Sequence, residues 1–482
     1  MIFTSIDFAV FLPIVFILYW FFANKKLKLQ NLLIVAASYL FYGWWDWRFL
    51  SLILFSTIVD FTIGQKLRDQ ENQLKRKALL WISILVNLGF LGFFKYYNFF
   101  LDNFITAFSF FGQEIKGNSL NIVLPVGISF YTFQTLSYTI DVYKRKLEPT
   151  RDFIAFSAFV CFFPQLVAGP IERATNLLPQ FYKKRNFDYS KAVDGMRQIL
   201  WGLFKKMVIA DNCAEFANQI FNNSADLNGS TLALGALFFT FQIYGDFSGY
   251  SDIAIGTSRL FGFNLMQNFA FPYFSRDIAE FWRRWHISLS TWFRDYLYIP
   301  LGGSRVSTIL KVRNTFIIFI VSGFWHGANW TFIVWGALNA LYFLPLLLTK
   351  SNRNNIEIVA KNKLFPSVKE FSFMLLTFGL TVFAWIFFRA NNIGHAISYI
   401  SGIFSSSFFK APIIENNFDF TVVLLLMVVF IIIEWGGRDW KYPLEKLGFS
   451  WPSVVRRSFY LLLFTLTILL GGSEQDFIYF QF

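Results

Sequence analysis

Long apolar stretches alternate with short polar ones along almost the whole chain. An apolar helix of about 17–25 residues crosses a bilayer, and runs near this length recur from end to end. Because several are short, we expect roughly ten to twelve true crossings, with the other segments re-entrant. The predicted spans lie near 8–23, 31–45, 49–64, 78–100, 121–139, 152–170, 191–210, 231–247, 315–330, 331–349, 370–388, 420–435 and 457–472.

Basic residues collect in the polar loops and set the expected orientation. They follow the first span at Lys25–Lys28 and recur in the loops 66–77 and 141–151. Lys and Arg concentrate in cytoplasmic loops, so we expect an external N-terminus and a last helix that runs outward. The net charge of +13 therefore indicates inner loops rather than a nucleic-acid partner.

Composition agrees with an all-α, polytopic membrane protein. Of 482 residues, 55% are apolar and 15% charged, against about 25% charged in soluble domains. A soluble enzyme, a disordered chain and a disulfide-rich secreted scaffold are excluded. Nothing marks a separate soluble part, so we expect one membrane domain over 1–482. The start lacks the features of a cleaved signal peptide.

The stretch 243–313 breaks the apolar pattern. Polar backbone segments at membrane depth are tolerated only where protein or water surrounds them. Ionisable groups there indicate function, although ion-paired architecture gives the same pattern. The ionisable residues of the stretch include Asp246, Asp252, Arg276, Asp277, Glu280, Arg283, Arg284, His286, Arg294 and Asp295.

Histidine is scarce, and two of the three histidines are candidate chemical groups. His326 lies within an apolar span beside Gly323 and Gly327, which permit close approach of a second backbone or a ligand. Its imidazole is expected to be either a neutral general base or a hydrogen-bonded residue joining two helices. His286 follows two arginines in a segment typical of phosphate binding or of an interfacial helix. His395 is expected in a surface loop.

Several common catalytic signatures are absent from the sequence. It has no Walker A, GxSxG, HExxH, CxxC or Rossmann pattern, and its two cysteines indicate neither a disulfide nor a metal site. With so few His and Cys residues, we expect no protein-bound metal.

Four internal motifs and both chain ends together resemble the membrane-bound O-acyltransferase (MBOAT) family. Within it the chain is most similar to the bacterial membrane subunits of alginate O-acetylation. The similarity runs over essentially the whole chain in the expected order. The segments are Met1–Phe3, Phe162–Ile171, Tyr244–Asp252, Phe281–Ser290, Phe324–Trp330 and Phe477–Phe482.

The resemblance implies a ring of tilted helices around a central tunnel, in the bacterial cytoplasmic membrane. His326 would be catalytic and His286 a second essential histidine. Asp246, Ser248 and Asp252 would be polar positions of the tunnel. An acetyl group would pass from a cytoplasmic thioester, acetyl-CoA, to a cell-envelope or exported polysaccharide such as alginate. An extracytoplasmic SGNH-type acetyltransferase would be the partner.

Further residues receive expected roles in this chemistry. Trp325, Asn329 and Trp330 would orient the base or the substrate. Arg283, Arg284, Arg294 and Arg305 would hold the CoA phosphates on the inner side. The resemblance also implies that the hydroxyl of Tyr479 carries the acyl group outward, while the alternative is that the C-terminal aromatic residues only anchor the tail.

Other functions remain open from the sequence. Within the enzyme class these are D-alanyl transfer to teichoic acid and peptidoglycan O-acetylation. A transporter also buries charges at midplane, but paired inverted repeats are not visible. A third possibility is a scaffold that only recruits the secreted partner.

Overall fold

The computed structural model of the chain describes residues 1–112, 117–167, 169–414 and 416–480, and these ranges are helical without a strand. The predicted all-α class is confirmed. The first ten helices are α1 Ile6–Ile17, α2 Leu27–Asp46, α3 Leu50–Asp69, α4 Gln73–Leu91, α5 Tyr97–Phe110, α6 Ile128–Tyr143, α7 Phe153–Cys161, α8 Phe163–Leu166, α9 Ala174–Leu177 and α10 Tyr189–Leu203. The remainder are α11 Asp211–Asn222, α12 Gly229–Leu260, α13 Ile278–Arg284, α14 Ile287–Phe293, α15 Thr308–His326, α16 Trp330–Leu348, α17 Val368–Arg389, α18 Ile393–Ile403, α19 Asn417–Gly437 and α20 Ser453–Leu469.

Within the described residues, six helical segments are long and apolar enough to cross a membrane. Two shorter apolar segments, Ile6–Phe22 and Phe153–Leu166, accompany them. Ten to twelve crossings, and the tunnel, stay predictions. The six segments are Leu27–Asp69, Gln73–Phe110, Thr308–His326, Trp330–Leu348, Val368–Arg389 and Asn417–Gly437.

Three predicted boundaries differ from the structure. The helix expected from 121 begins at Ile128, after Gly127 in the left-handed region with φ 73°. The span 152–170 breaks at Phe162, before Pro164 in the first turn of α8, and residue 168 lies outside the described residues. The span 231–247 continues to Leu260, so Asp246 and Asp252 are helical.

Local sequence accounts for many helix starts. Asp152 accepts hydrogen bonds from the amides of Ile154 and Ala155, both at 3.0 Å, and so caps α7. Ser367 and Glu370 form a reciprocal capping box at the start of α17. Such caps satisfy backbone N–H groups that have no partner within the helix.

The chain forms two compact units. The first comprises 1–195 with 254–266, and the second 196–253 with 267–482. In the first unit, buried Asp60 on α3 accepts from Ser83 at 2.5 Å and Asn87 at 2.9 Å on α4. Both candidate catalytic histidines and Tyr479 belong to the second unit. The expectation of a single domain stays a prediction.

Candidate active site

A tightly packed helical hairpin positions His326. Helix α15 ends at His326, and α16 begins after a three-residue turn, 327–329. A Cβ atom at Gly323 would lie 2.1 Å from the carbonyl oxygen of Phe332, and one at Gly336 would lie 2.3 Å from that of Phe319. The glycines therefore let the two backbones touch, as predicted for Gly323. His326 lies at the end of the helix rather than within it, because the chain turns at Gly327.

Aromatic rings enclose the His326 imidazole. The side chain is 3% exposed. The ring centroids of Trp325, Trp335, Phe388 and Tyr479 lie 4.9, 5.2, 5.2 and 5.3 Å from its own. Such packing keeps water away from the ring and would protect a reactive acyl group from hydrolysis.

A strained backbone holds His286 between two short helices. The residue has φ 43° and ψ 54°, a left-handed conformation that costs a non-glycine residue about 1–3 kcal/mol. The Asn268 backbone carbonyl accepts from the amide of Ile287 at 2.9 Å, and the amide oxygen of its side chain accepts from the hydroxyl of Ser288 at 2.8 Å. These contacts keep the turn closed around the histidine.

Asn268 also fixes which nitrogen of His286 carries the proton. The Nδ1 atom lies 3.1 Å from the Asn268 amide oxygen. An amide oxygen only accepts hydrogen bonds, so Nδ1 donates and Nε2 keeps its lone pair. Nε2 is buried without a hydrogen-bond partner among the described residues. Burial also lowers the pKa of His286 to about 3, so the ring is neutral and suited to accept a proton.

Two aromatic residues link His286 to the surroundings of His326. The Phe247 ring packs 4.6 Å from His286 and 4.5 Å from Tyr479 between centroids. Trp325, next to His326 in sequence, lies 6.0 Å from the His286 ring. Phe247 and Tyr479, which lie far apart in the sequence, therefore belong to one aromatic cluster that contains both histidines.

Tyr479 brings a hydroxyl into this cluster. The hydroxyl oxygen is buried and has no hydrogen-bond partner within the described part of the chain. Burial, together with the negative charge of Asp246, holds the pKa of Tyr479 well above its usual value. The phenol is therefore neutral and would need a base to become a nucleophile. Residues 481–482, also part of the predicted C-terminal motif, lie outside the described residues.

The predicted polar positions on α12 take part in buried contacts. Asp252 pairs with Lys205 at 2.5 Å, and Asp246 pairs with Lys206 at 2.8 Å. The Ser248 hydroxyl donates to a backbone carbonyl one turn earlier, at 2.6 Å. Each of these three side chains therefore contacts another group of the protein, a lysine ammonium or a backbone carbonyl.

The sequence reasoning missed the two lysines of these pairs. Lys205 and Lys206 are consecutive, inside a predicted span, and a wide π-helical segment, Phe204–Ala210, carries both. Two charges within an apolar helix were the available signal, and π-helical segments often mark functional sites.

The four predicted phosphate-binding arginines are dispersed. Arg284 pairs with Glu280, one turn earlier on α13, at 2.8 Å. Arg283 donates to two loop carbonyls, at 2.8 and 2.9 Å. Arg294 pairs with the neighbouring Asp295 at 2.6 Å, and Arg305 is exposed.

A cavity of about 250 Å³ adjoins Arg294. Arg353, which the sequence reasoning did not identify, also lines it, as does Trp282. The Trp282 ring packs 5.7 Å from Trp335, which in turn contacts His326. The ring of Trp335 thus lies between Trp282, in the cavity lining, and the imidazole of His326. The same lining carries the two guanidinium groups of Arg294 and Arg353.

Of the three residues expected to orient the base, Trp325 alone packs against His326 in the described chain. Asn329 caps α16 by accepting from the amide of Thr331 at 3.0 Å, and Trp330 is 50% exposed. The expectation for His395 was wrong: it lies in α18, partly buried, with Nε2 3.1 Å from the Ser224 hydroxyl.

Replacing Asn268 tests its control of the His286 proton. Asn268→Ala should lower the turnover number about 10- to 100-fold, because proton transfer by a positioned group contributes about 10²–10⁴. Asn268→Asp places a negative charge beside Nδ1 and raises the pKa of His286. The imidazole then protonates at higher pH, so the acidic limb of the pH–rate profile should shift to higher pH. An unmoved profile in Asn268→Asp would contradict this role.

Comparison with known proteins gives matches over the whole chain. The sequence profile described as the membrane-bound O-acyltransferase family, MBOAT, matches residues 146–387. A Pseudomonas putida protein named probable alginate O-acetylase AlgI is 38% identical over 503 aligned positions, covering all of both chains.

Two other relatives carry different names. A peptidoglycan O-acetyltransferase of Helicobacter pylori is 32% identical, over 98% of this chain and 95% of the relative. A teichoic acid D-alanyltransferase of Bacillus subtilis is 27% identical, over 46% of this chain and 58% of the relative. Similarity to the D-alanyltransferase is thus confined to about half of each chain.

Proposed function

The chain belongs to the membrane-bound O-acyltransferase family, and on that premise we propose that it passes acetyl groups from cytoplasmic acetyl-CoA across the cell membrane to alginate. That it is a multi-pass membrane acyltransferase follows from the family match and the apolar helices. The observation that carries the proposal is the enclosed cluster of His286, His326 and the Tyr479 hydroxyl. Full-length similarity to proteins named alginate O-acetylases supports the acceptor.

The first step of the proposed reaction loads Tyr479. His326 removes the phenolic proton, because burial keeps Tyr479 neutral on its own. The phenolic oxygen attacks the thioester carbonyl, and the C–S bond breaks. The thiolate of CoA leaves with the proton from the His326 imidazolium. The products are O-acetyl-Tyr479 and CoA, and both histidines end neutral.

His286 completes the proposed machinery as a second proton acceptor. Its Nε2 lone pair would accept the proton of a reacting hydroxyl group, while the contact of Nδ1 with Asn268 holds the ring in place. With two neutral bases in one aromatic cluster, one can serve the entry of the acetyl group and the other its departure. Trp325, which contacts both rings, would position them.

The cavity beside Arg294 and Arg353 is the proposed entry for the donor. Guanidinium groups suit the phosphates of CoA, and the ring of Trp282 leads from the cavity toward His326. Arg283, Arg284 and Arg305 remain proposed phosphate contacts, although Arg284 would have to share its charge with Glu280.

An extracytoplasmic SGNH-type acetyltransferase is the proposed partner. A tyrosine ester at the end of the chain would be its substrate, and the partner would place the acetyl group on the polysaccharide. This arrangement requires the bacterial cytoplasmic membrane, with the donor inside and the acceptor outside. Membership in an acyltransferase family favours this reading over a transporter or a scaffold.

The acceptor is tested with sealed inverted vesicles that contain the chain and its secreted partner. Labelled acetyl-CoA is added outside, and deacetylated alginate or peptidoglycan is enclosed. We expect label on alginate in the complete system and none when the partner is omitted. Label on peptidoglycan alone would replace the proposed acceptor. Transfer from a carrier protein charged with labelled D-alanine, with none from acetyl-CoA, would replace the donor.

A further inference from the structure

The C-terminal segment is held to the protein by contacts that precede Tyr479. After α20 ends, the backbone amide of Gly472 donates to the carbonyl of Met207 at 3.0 Å. The ammonium of Lys206 donates to the carbonyl of Gln475 at 2.9 Å. The amide of Ile478, one residue before the tyrosine, donates to the Asp246 carboxylate at 2.7 Å.

One buried charge cluster supplies two of these contacts. The Lys206 ammonium lies 2.6 Å from Asp211 and 2.8 Å from Asp246, and all three side chains are at most 5% exposed. Without the ammonium, two buried carboxylates would face each other without compensation, which strongly disfavours the arrangement. The cluster therefore joins the π-helical segment, α12 and the tail.

We propose that Lys206 and Asp246 are positioning residues that hold the C-terminal segment so that the ring of Tyr479 stays packed against His326. This inference rests on the proposed relay role of Tyr479. Asp246 uses one carboxylate oxygen for Lys206 and the other for the amide of Ile478. It thereby fixes the backbone one residue from the phenol that must meet the imidazole.

Tertiary contacts order this segment: Glu215 accepts from the backbone amide of Ser473 at 3.0 Å, and Asp246 holds the amide next to Tyr479. Between Leu470 and the short turn Ile478–Phe480 the chain has no regular secondary structure, so its backbone position depends on such contacts. Displacing a reacting group by about 1 Å can lower a rate about 10²-fold. The buried ion pair therefore ties the position of Tyr479 to α12 and to the π-helical segment.

Neighbouring Lys205 provides a matched control. It is also buried, lies on the same π-helical segment and pairs with an aspartate of α12, but that aspartate is Asp252. Lys205→Met and Lys206→Met each remove one ammonium from a buried pair. Asp246→Asn is a nearly isosteric second variant, and Lys206→Arg restores the positive charge.

The test joins amide hydrogen exchange of the C-terminal peptide with single-turnover acetylation of Tyr479, both on full-length protein in nanodiscs. Lys206→Met should speed exchange of the amides at 472 and 478 and slow acetylation about 100-fold. Asp246→Asn should act in the same direction, more weakly, and Lys206→Arg should recover part of both. Lys205→Met should leave the tail protected even where it lowers thermal stability.

Each other result overturns a separate part of the inference. A tail that stays protected in both Lys206→Met and Asp246→Asn would refute the anchor. Equal release of the C-terminal segment in Lys205→Met would show that the effect of Lys206→Met is a general loss of core stability. A released tail with wild-type acetylation would refute the positioning role. Wild-type protein with a protected tail and no acetyl on Tyr479 would instead refute the relay beneath it.

Discussion

Replacing His326 with alanine is expected to stop acetyl transfer. The imidazole is the proposed base for a phenol that burial keeps neutral, and a positioned base contributes about 10²–10⁴ in rate. Radiolabelled acetyl-CoA with purified protein should show no label on the chain and no CoA release above background. Size-exclusion behaviour should match that of the wild type, since the helical hairpin depends on its glycines rather than on the imidazole.

His395→Ala is the matched control for this experiment. His395 lies in α18, is partly buried, and contacts Ser224 through its ring. Because it lies outside the candidate active site, its removal should leave the turnover number within about twofold of wild type. Full activity in His326→Ala would remove it as the base, and His286 would become the candidate.

Replacing Tyr479 with phenylalanine is expected to abolish acetylation of the polysaccharide while the aromatic packing stays. The substitution removes one oxygen that has no hydrogen-bond partner among the described residues, so it costs little stability. The rings of Phe247 and His326 keep their neighbour. Mass spectrometry of the C-terminal peptide should show one acetyl group in wild type and none in the variant.

Tyr460→Phe is the control for loss of a buried phenol. Its hydroxyl, on α20, likewise has no hydrogen-bond partner within the described residues. This variant should transfer acetyl groups normally. Polysaccharide that is still acetylated by Tyr479→Phe would show that the acyl group crosses without this hydroxyl, and the C-terminal aromatic residues would then be anchors only.

The helices were predictable because their determinants are local. Apolar runs of spanning length, and caps such as Asp152, act over a few residues. The start predicted near 121 was wrong because a left-handed glycine at 127 precedes the helix, which begins at Ile128. The span 231–247 was too short because a hydropathy boundary at Asp246 does not end a helix whose charge finds a buried partner.

The candidate site was only partly predictable. The sequence drew attention to His286, His326 and Tyr479, chiefly through scarcity and family resemblance. It did not identify Asn268, whose amide fixes the His286 proton. It also missed Arg353 at the donor cavity, because an arginine in a polar loop looks like any solvated charge.

The sequence by itself determined an all-helical membrane protein, since composition and apolar run length are properties of the linear chain, and its motifs indicated an acyltransferase by family resemblance. Only the tertiary structure decided that Ile478 meets Asp246, which is 232 residues away in sequence. It also decided that Lys206 lies between two carboxylates. Contacts between distant residues depend on how complete helices pack, and no local pattern encodes which buried charge will face which partner.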